Sequence, residues 1–548
     1  MYIRQISRKN KDGSKVTYVQ LAHNERNPKK GFAVAKVLYN FGRVEELDIE
    51  QLKRLVGSIS RFLSPEDALA AKAAINLGVP EVKFTSCRSF GGIYLLAALW
   101  QQLHLEKILE KDLQLSKIQV PISKAVFAMV ANRCLAPSSK LAITEWIKHD
   151  VHIPGLEDVD VQVLYRAMDY LLERQEQLEK EIFWSISTLL NLEVDLLFFD
   201  TTSTYFETES PTELKKRGYS KDKRADLPQV VIGLAVNRDG IPVKHWVFPG
   251  NTADMNTIEK VKKDLVGWQL GRCIFVHDAG MTSEDNLQYL QRAGGHYIVG
   301  RKLKNGEPAA ELALARKGPY TEIREHLSAR EVSLGGDGEK RKRLVLVRNT
   351  EEEKKQLLVR QQIVETIEKK LEEINRHRGQ AHTKATCALK SHAVYGKYVK
   401  ELQDGRLKVD KGKVADESRY DGKFLIETSD DTLSLQDIVL GYKQLNDVEQ
   451  AFRTLKTTLQ LRPNYHSKDE RIRCHIFLCF LALVMARIVE HKTGASWRSV
   501  RQEMGRMQIG QFVMDRKKVS QLTEPTERQK LFLKQLGIKE PGSIVDIR

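Results

Sequence analysis

At 548 residues the chain is too long for one compact core and has room for three or four domains of ~100–200 residues each. Hydrophobic residues at 41% and charged residues at 29% exclude a disordered chain. Lys and Arg number 88 against 72 Asp and Glu, a formal charge of +16 that favours a polyanionic partner, with a solvated basic surface as the even alternative. Six cysteines make no disulfide framework in so long a chain and point to a reducing compartment. The N-terminus MYIRQISRKNKDGSK lacks an apolar signal segment. The most apolar run, Ile476 to Val489, contains Arg487 and falls short of the ~20 residues of a membrane helix. Secreted and membrane classes are therefore set aside.

In chain order, Tyr2 to Ile6, a Lys11-Asp12-Gly13 turn and Val16 to Leu21 predict a hairpin, with Ala33 to Tyr39 as a third strand. Apolar residues at helical spacing follow over Ile49 to Leu63, and again from Gly91 to about Leu190. Near Val194 the pattern changes: Val194 to Phe199 reads as a buried strand ending at Asp200 and opening into a loop. Strands at Val230 to Val236 and Val243 to Phe248 come next, then a helix over Ala253 to Leu265 with Thr252 as its cap. Cys273 to His277 is a strand ending at Asp278, Ser283 caps another helix, and His296 to Val299 is a further strand. This order fits a mixed sheet with an antiparallel start and an α/β finish. Residues 304–422 break the pattern with polar strands and a charged helix over Glu352 to His377, and Phe424 to Glu427 resumes it. The break reads as an insertion within one domain.

Two strand-ending aspartates, Asp200 and Asp278, would project from rigid frames at one sheet edge, where carboxylates can hold a hard cation. Each taken alone reads more often as a turn or cap residue. In GYKQLNDVEQAFRTLK, Tyr442, Glu449 and Lys456 are seven apart and predict one stripe of a single helix, anchored by Leu445, Val448, Phe452 and Leu455. His382, Cys387 and His392, or Cys474, His475 and Cys479, form no paired zinc pattern, and no Walker A loop or GxGxxG follows a strand.

The segment Tyr442 to Lys456 resembles the Y-R-E-K signature of the DDE transposases of bacterial insertion sequences, with Leu445 standing where that signature has Arg. The resemblance extends to FAMVANRCLAPSSKLAITEW, FFDTTSTYFE, LPQVVIGLAVNRDGIPVKHWVFPGNTADMNT, FVHDAGMTSEDNL and RPNYHSKDERIRCHIFLCFLAL, most of residues 120–490. It implies an α/β multidomain chain whose RNase H-like mixed-sheet catalytic domain carries a strand-containing insertion. Asp200, Asp278 and Glu449 are then the catalytic residues, holding two Mg²⁺ (or Mn²⁺) ions per active site. Tyr442 and Lys456 become DNA contacts near the scissile bond, and Arg453 or Lys443 is the candidate substitute for the missing Arg.

The implied layout is a β-rich region with a helix over 1–80, a helical DNA-end-binding domain over 81–193, and catalytic parts over 194–303 and 423–490 around the insertion 304–422. A helical region over 491–548 carries Arg498, Arg501, Arg506 and Arg516-Lys517-Lys518 at helix-like intervals, which read equally as a solvated face or as dimerisation or DNA contact. The expected activity is cut-and-paste transposition: binding terminal inverted repeats in double-stranded DNA, cleaving the ends and joining them to target DNA. A homodimer in a synaptic complex, no membrane, and a cytoplasmic, nucleoid-associated location complete the expectation. The alternatives are a metal-dependent RNase H-like nuclease or domesticated recombinase without strand transfer, and a catalytically silent DNA-binding regulator. An RNA-binding protein finds no aromatic platform motif in support.

Overall fold

The computed structural model describes residues 1–11, 13–26, 32–60, 62–64, 83–113, 121–190, 196–207, 210–266, 268, 274–292, 295–304, 306–334, 342–514 and 517–547. Asp12, Val194, Asp195, Cys273 and Arg516, named in the sequence expectations, lie outside them. The chain divides into two compact units, residues 1–83 with 513–516, and residues 84–512 with 517–548.

In the first unit the alternating segments form an antiparallel meander, β1 (Tyr2–Lys9), β2 (Lys15–Arg26) and β3 (Ala33–Arg43), with Tyr2 opposite Ala22 and Lys9 opposite Lys15. Helix α1 (Ile49–Ser60) follows, its entry held by the Asp48 carboxylate, which accepts from the Glu50 and Gln51 amides at 2.9 and 3.1 Å.

The second unit opens with β4 (Lys83–Ser89) and a run of helices: α2 (Gly91–Gln102), α3 (Leu105–Leu113), α4 (Ile122–Leu135), α5 (Lys140–His149), α6 (Val161–Glu173) and α7 (Gln175–Leu190). Helix α4 is mostly apolar and is buried along nearly its full length, Asn132 and Arg133 included.

Next come β5 (Leu196–Tyr205), β6 (Gln229–Val236), β7 (Pro242–Pro249), α8 (Ile258–Val266), β8 (Ile274–His277), α9 (Glu284–Gln291) and β9 (His296–Arg301), the order read from the hydrophobic runs. Two local expectations differ. Strand β5 does not end at Asp200 but continues to Tyr205, because β6 keeps pairing with it as far as Tyr205 opposite Gln229. Thr252 does not cap α8; a short 3₁₀ turn over Asp254–Thr257 leads into it. Ser283 does cap α9, accepting from the Asn286 amide.

Residues 304–422 contribute α10 (Pro308–Ala315), β10 (Thr321–Arg324), β11 (Leu327–Leu334), β12 (Lys342–Asn349), α11 (Thr350–Arg376), α12 (Gln380–Ser391), a small β13 (Val399–Glu401) and β14 (Leu407–Val409) hairpin, and α13 (Lys411–Ser418). Through β15 (Lys423–Thr428), strands β10 to β12 extend the main sheet, giving nine strands in the order β10-β11-β12-β15-β9-β8-β5-β6-β7. Within it β5, β8 and β9 are parallel neighbours, and β6 and β7 run antiparallel.

The chain closes with α14 (Leu435–Lys443), α15 (Asn446–Arg453), α16 (Asp469–Thr493), α17 (Trp497–Met504), β16 (Gln508–Met514), β17 (Lys517–Leu522), α18 (Glu527–Gln535) and β18 (Ile544–Ile547). The terminal region expected to be helical thus holds three strands, which line up with β4 in a four-stranded sheet. Helix α16 is long and apolar enough to cross a bilayer, but 89% of its apolar window is buried inside the protein, where it packs on α4, α6 and β7. One large core joins these helices to one face of the sheet through Phe198, Ile232, Val276, Phe452 and Phe477, while Phe199, Trp246, Phe275 and Tyr297 build a second core on the other face.

Candidate active site

Asp200 owes its position to a mismatch in strand length. The parallel neighbour β8 pairs with β5 only as far as Phe198 opposite Val276, whereas β6 continues on the other side. Asp200 lies two residues beyond that last pair and Asp278 two residues beyond its partner, so the register puts both carboxylates level at one sheet edge. Asp278 follows His277, which burial pushes down to about 4 and whose Nδ1 lies 3.1 Å from the Asp278 carbonyl. A buried, uncharged ring thus adjoins the turn.

Asp200 shares a strand face with Leu196 and Phe198, which belong to the same core as Val448 and Phe452 of α15. The helix bearing Glu449 therefore packs over the face from which Asp200 emerges, on β5 and β6. The single helix expected over Tyr442 to Lys456 is interrupted: α14 ends at Lys443, α15 begins at Asn446, and Thr454–Thr458 forms a π-helical turn. Helix α14 lies against β8, β9, β12 and β15, so the break lets two short helices follow different strands.

Tyr442, at the end of α14, connects the two sides of the site. Its hydroxyl donates to Asp278 Oδ1 at 3.3 Å, and burial, then Asp278 and Glu449, raise its pKa. A Cβ at Gly300 of β9 would run into the Tyr442 hydroxyl, so glycine there permits the close approach. Glu449 and Arg453 are exposed on α15, and Leu445, where the signature has Arg, packs against the core instead of reaching outward.

Two loops supply groups the sequence reading did not select. Asp254 comes from the 3₁₀ turn before α8 and accepts from Thr201 Oγ1 at 2.5 Å. Lys221 places its ammonium 3.6 Å from Asp200 Oδ1 and 3.4 Å from Asp254 Oδ2, and donates to the Thr201 carbonyl at 2.6 Å. Burial pushes the Asp200 carboxyl up to about 6; Lys221 and the Thr201 amide counter this, and Asp254 and Asp278 add to it. Next to it, Asp222 takes Lys456 at 2.9 Å and Arg462 at 3.4 Å. Lys456 is thus held by an internal carboxylate, and burial lowers its pKa. Asp254 lies in the NTADMNT stretch and Lys221 in the charged loop after β5, but only the folded sheet brings them to Asp200.

Among the described residues, no group of three or more His, Cys, Asp or Glu side chains stands close enough to hold a metal ion as arranged. The donor chemistry nevertheless suits a hard cation. Asp200, Asp254 and Asp278 share one edge, burial and to a lesser degree the neighbouring carboxylates raise the Asp200 pKa, and an ammonium already stands near both Asp200 and Asp254. The zinc candidates stay structural: Cys474 donates to the Met168 carbonyl, His475 and Cys479 are buried against each other, and His392 stacks on Tyr395.

Residues 195–485 match the family described as transposase DDE domain, and residues 3–70 match the IS1634 family transposase N-terminal domain. No curated protein matches. A solved structure described as a cryo-EM structure of piggyBac transposase synaptic complex with hairpin DNA covers 73% of this chain and 75% of its own, at 8% identity and a TM-score of 0.35, too slight a likeness to bear weight.

Proposed function

Because the chain belongs to the transposase DDE-domain family, matched over more than half its length, we propose that it is a cut-and-paste DNA transposase acting on the terminal inverted repeats of an insertion sequence. In this reading it cleaves the element's ends by phosphodiester hydrolysis and joins them to target DNA. The observation that carries the reading is the convergence of Asp200 and Asp278 from adjacent parallel strands on one sheet edge, with α15 and its Glu449 packed over the same face.

The stretch β7-β6-β5-β8-β9, antiparallel at one end and parallel at the other, supports an RNase H-like core. Asp200, Asp278 and Glu449 would hold two Mg²⁺ or Mn²⁺ ions, with Asp254 close by. Such ions stabilise charge on the attacking and leaving oxygens of an in-line displacement at phosphorus. The protein's part is to hold these carboxylates ready. Tyr442 fixes the Asp278 rotamer through its hydroxyl, and Thr201 fixes Asp200 through its amide at 2.7 Å.

Lys221 neutralises the carboxylates in the absence of a cation and is free afterwards to meet a phosphate. Arg453, exposed beside Glu449, is a DNA-backbone contact in this reading, as is Lys456 once DNA competes with Asp222 for it. Because two ends must be cut together, a homodimer in a synaptic complex is the working unit, in the cytoplasm at the nucleoid. Incubating the full chain with end-containing DNA and Mg²⁺ tests the reading: nicked and joined products are expected, and retention of full cleavage by Asp200→Ala, Asp278→Ala or Glu449→Ala would remove that residue from the site.

A further inference from the structure

A second polar recess, of about 350 Å³, lies in the helical part of the larger unit between α4, the start of α5, and the loop leading into α16. Arg133, Ser139, Lys140, Tyr165, Tyr465 and His466 are among the residues that line it, and no acidic side chain does. Both cations are more than nine-tenths buried, each retaining 4% of its exposure. Arg133 donates to the backbone carbonyls of Gln460, at 3.0 Å, and Ser138, and its Nε has no partner. The Lys140 ammonium makes no ion pair or hydrogen bond among the described residues.

Two buried cations without a counter-charge are costly, and this cost is retained here in a cavity open enough to admit a ligand. The recess also faces the first turn of α5, a ten-residue helix capped by Ser139, whose leading amides have no acceptors within the helix. Burial together with Arg133 lowers Lys140 to about 8, the response expected of an ammonium lacking an anion.

We infer that this recess is a binding site for a phosphate group, distinct from the acidic centre, with Lys140 and Arg133 supplying charge and the α5 N-terminus supplying amide donors. The aromatic rings of Tyr165 and His466, packed edge to face at 6.1 Å, would flank the attached sugar or base. Resting on the DNA reading above, the natural source is a backbone or terminal phosphate of the bound DNA, and free phosphate shares the chemistry. The loop containing Tyr465 and His466 begins just after Lys456 and Arg462, so the acidic centre and the recess are joined by one short segment.

The test uses the full chain, melted in inorganic phosphate and in chloride at matched ionic strength, and titrated with end-containing DNA in both buffers. Phosphate should raise the Tm saturably by about 2–4 °C and compete with DNA. Lys140→Met should abolish that rise and weaken DNA binding about tenfold, equivalent to about 1.4 kcal/mol. Leu141→Glu, at an exposed position on the rim, places a carboxylate at the mouth without touching the core and should act likewise if Lys140→Met does not fold. A phosphate-induced rise with DNA binding unchanged in the variants assigns the site to a free anion, and it supports the pocket even if the chain proves not to bind element ends. No phosphate-specific rise together with unaltered DNA binding in the variants would overturn the proposal.

Discussion

Two polar recesses of the larger unit have opposite deficits. Asp200, Asp254 and Asp278 share the edge of β5 and β8, and Lys221 stands near Asp200 and Asp254. Between α4 and α5, Arg133 and Lys140 are buried with no carboxylate among the lining residues. Elsewhere the same unit pairs its buried charges: Glu427 takes Arg301 at 2.6 Å and the Tyr297 hydroxyl at 2.8 Å, and Asp421 takes the Arg360 guanidinium. Lys262, also buried, is instead held by the backbone carbonyls of Tyr289, Leu290 and Arg292. A net charge of +16 says only that cations exceed anions; their placement separates a buried basic recess from an acidic sheet edge.

The contrast is broken most severely at the acidic edge. Asp200→Asn, Asp278→Asn and Glu449→Gln should each lower Mg²⁺-dependent strand cleavage by about 10³-fold or more, while gel-shift affinity for DNA stays within about threefold. A matching loss of DNA affinity would mean that these residues shape the fold and not the chemistry. DNA affinity should itself fall by about 10³-fold between 50 and 200 mM salt if six or more phosphates are held, whereas a flat salt profile would leave the basic excess without a role in binding.

Removing the ammonium sharpens the same contrast. Lys221→Met should tighten Mn²⁺ binding about tenfold by calorimetry, because one cationic competitor for Asp200 is gone. Weaker binding would assign Lys221 to positioning the carboxylates. Packing separates the two recesses on a smaller scale. Gly300→Ala drives a methyl into Tyr442 and should cost about 1–3 kcal/mol in denaturant melts, while Leu141→Glu on the exposed rim should stay within about 0.5 kcal/mol. Tyr442→Phe, which removes one hydrogen bond to Asp278, should cost about 1 kcal/mol.

The order of β5 to β9 was legible because each strand is an apolar run closed by a polar or turn-forming residue, a signal that does not depend on distant partners. Asp200 and Asp278 stood out for the same reason. Asp254 did not, because 53 residues separate it from Thr201 and its role exists only after the sheet brings the two together. The break between α14 and α15 was hidden as well: the heptad spacing of Tyr442, Glu449 and Lys456 continues across it without Gly or Pro at the junction, and packing on two sets of strands overrides it. The strands near the C-terminus share a sheet with β4, some 420 residues earlier, so no local pattern could announce the pairing. FAMVANRCLAPSSKLAITEW carried Arg133 and Lys140 in plain view, but burial without a counter-ion is a property of the fold.

The claim that the acidic edge is a metal-dependent active centre is tested most directly by replacing Mg²⁺ with Fe²⁺ and generating hydroxyl radicals at the bound ion with ascorbate and peroxide. Mapped by mass spectrometry, backbone cuts should cluster at Asp200, Asp278 and Glu449 and disappear with excess Mg²⁺ or in Asp200→Asn. Cuts that fall elsewhere, or that persist unchanged in Asp200→Asn, would contradict the account.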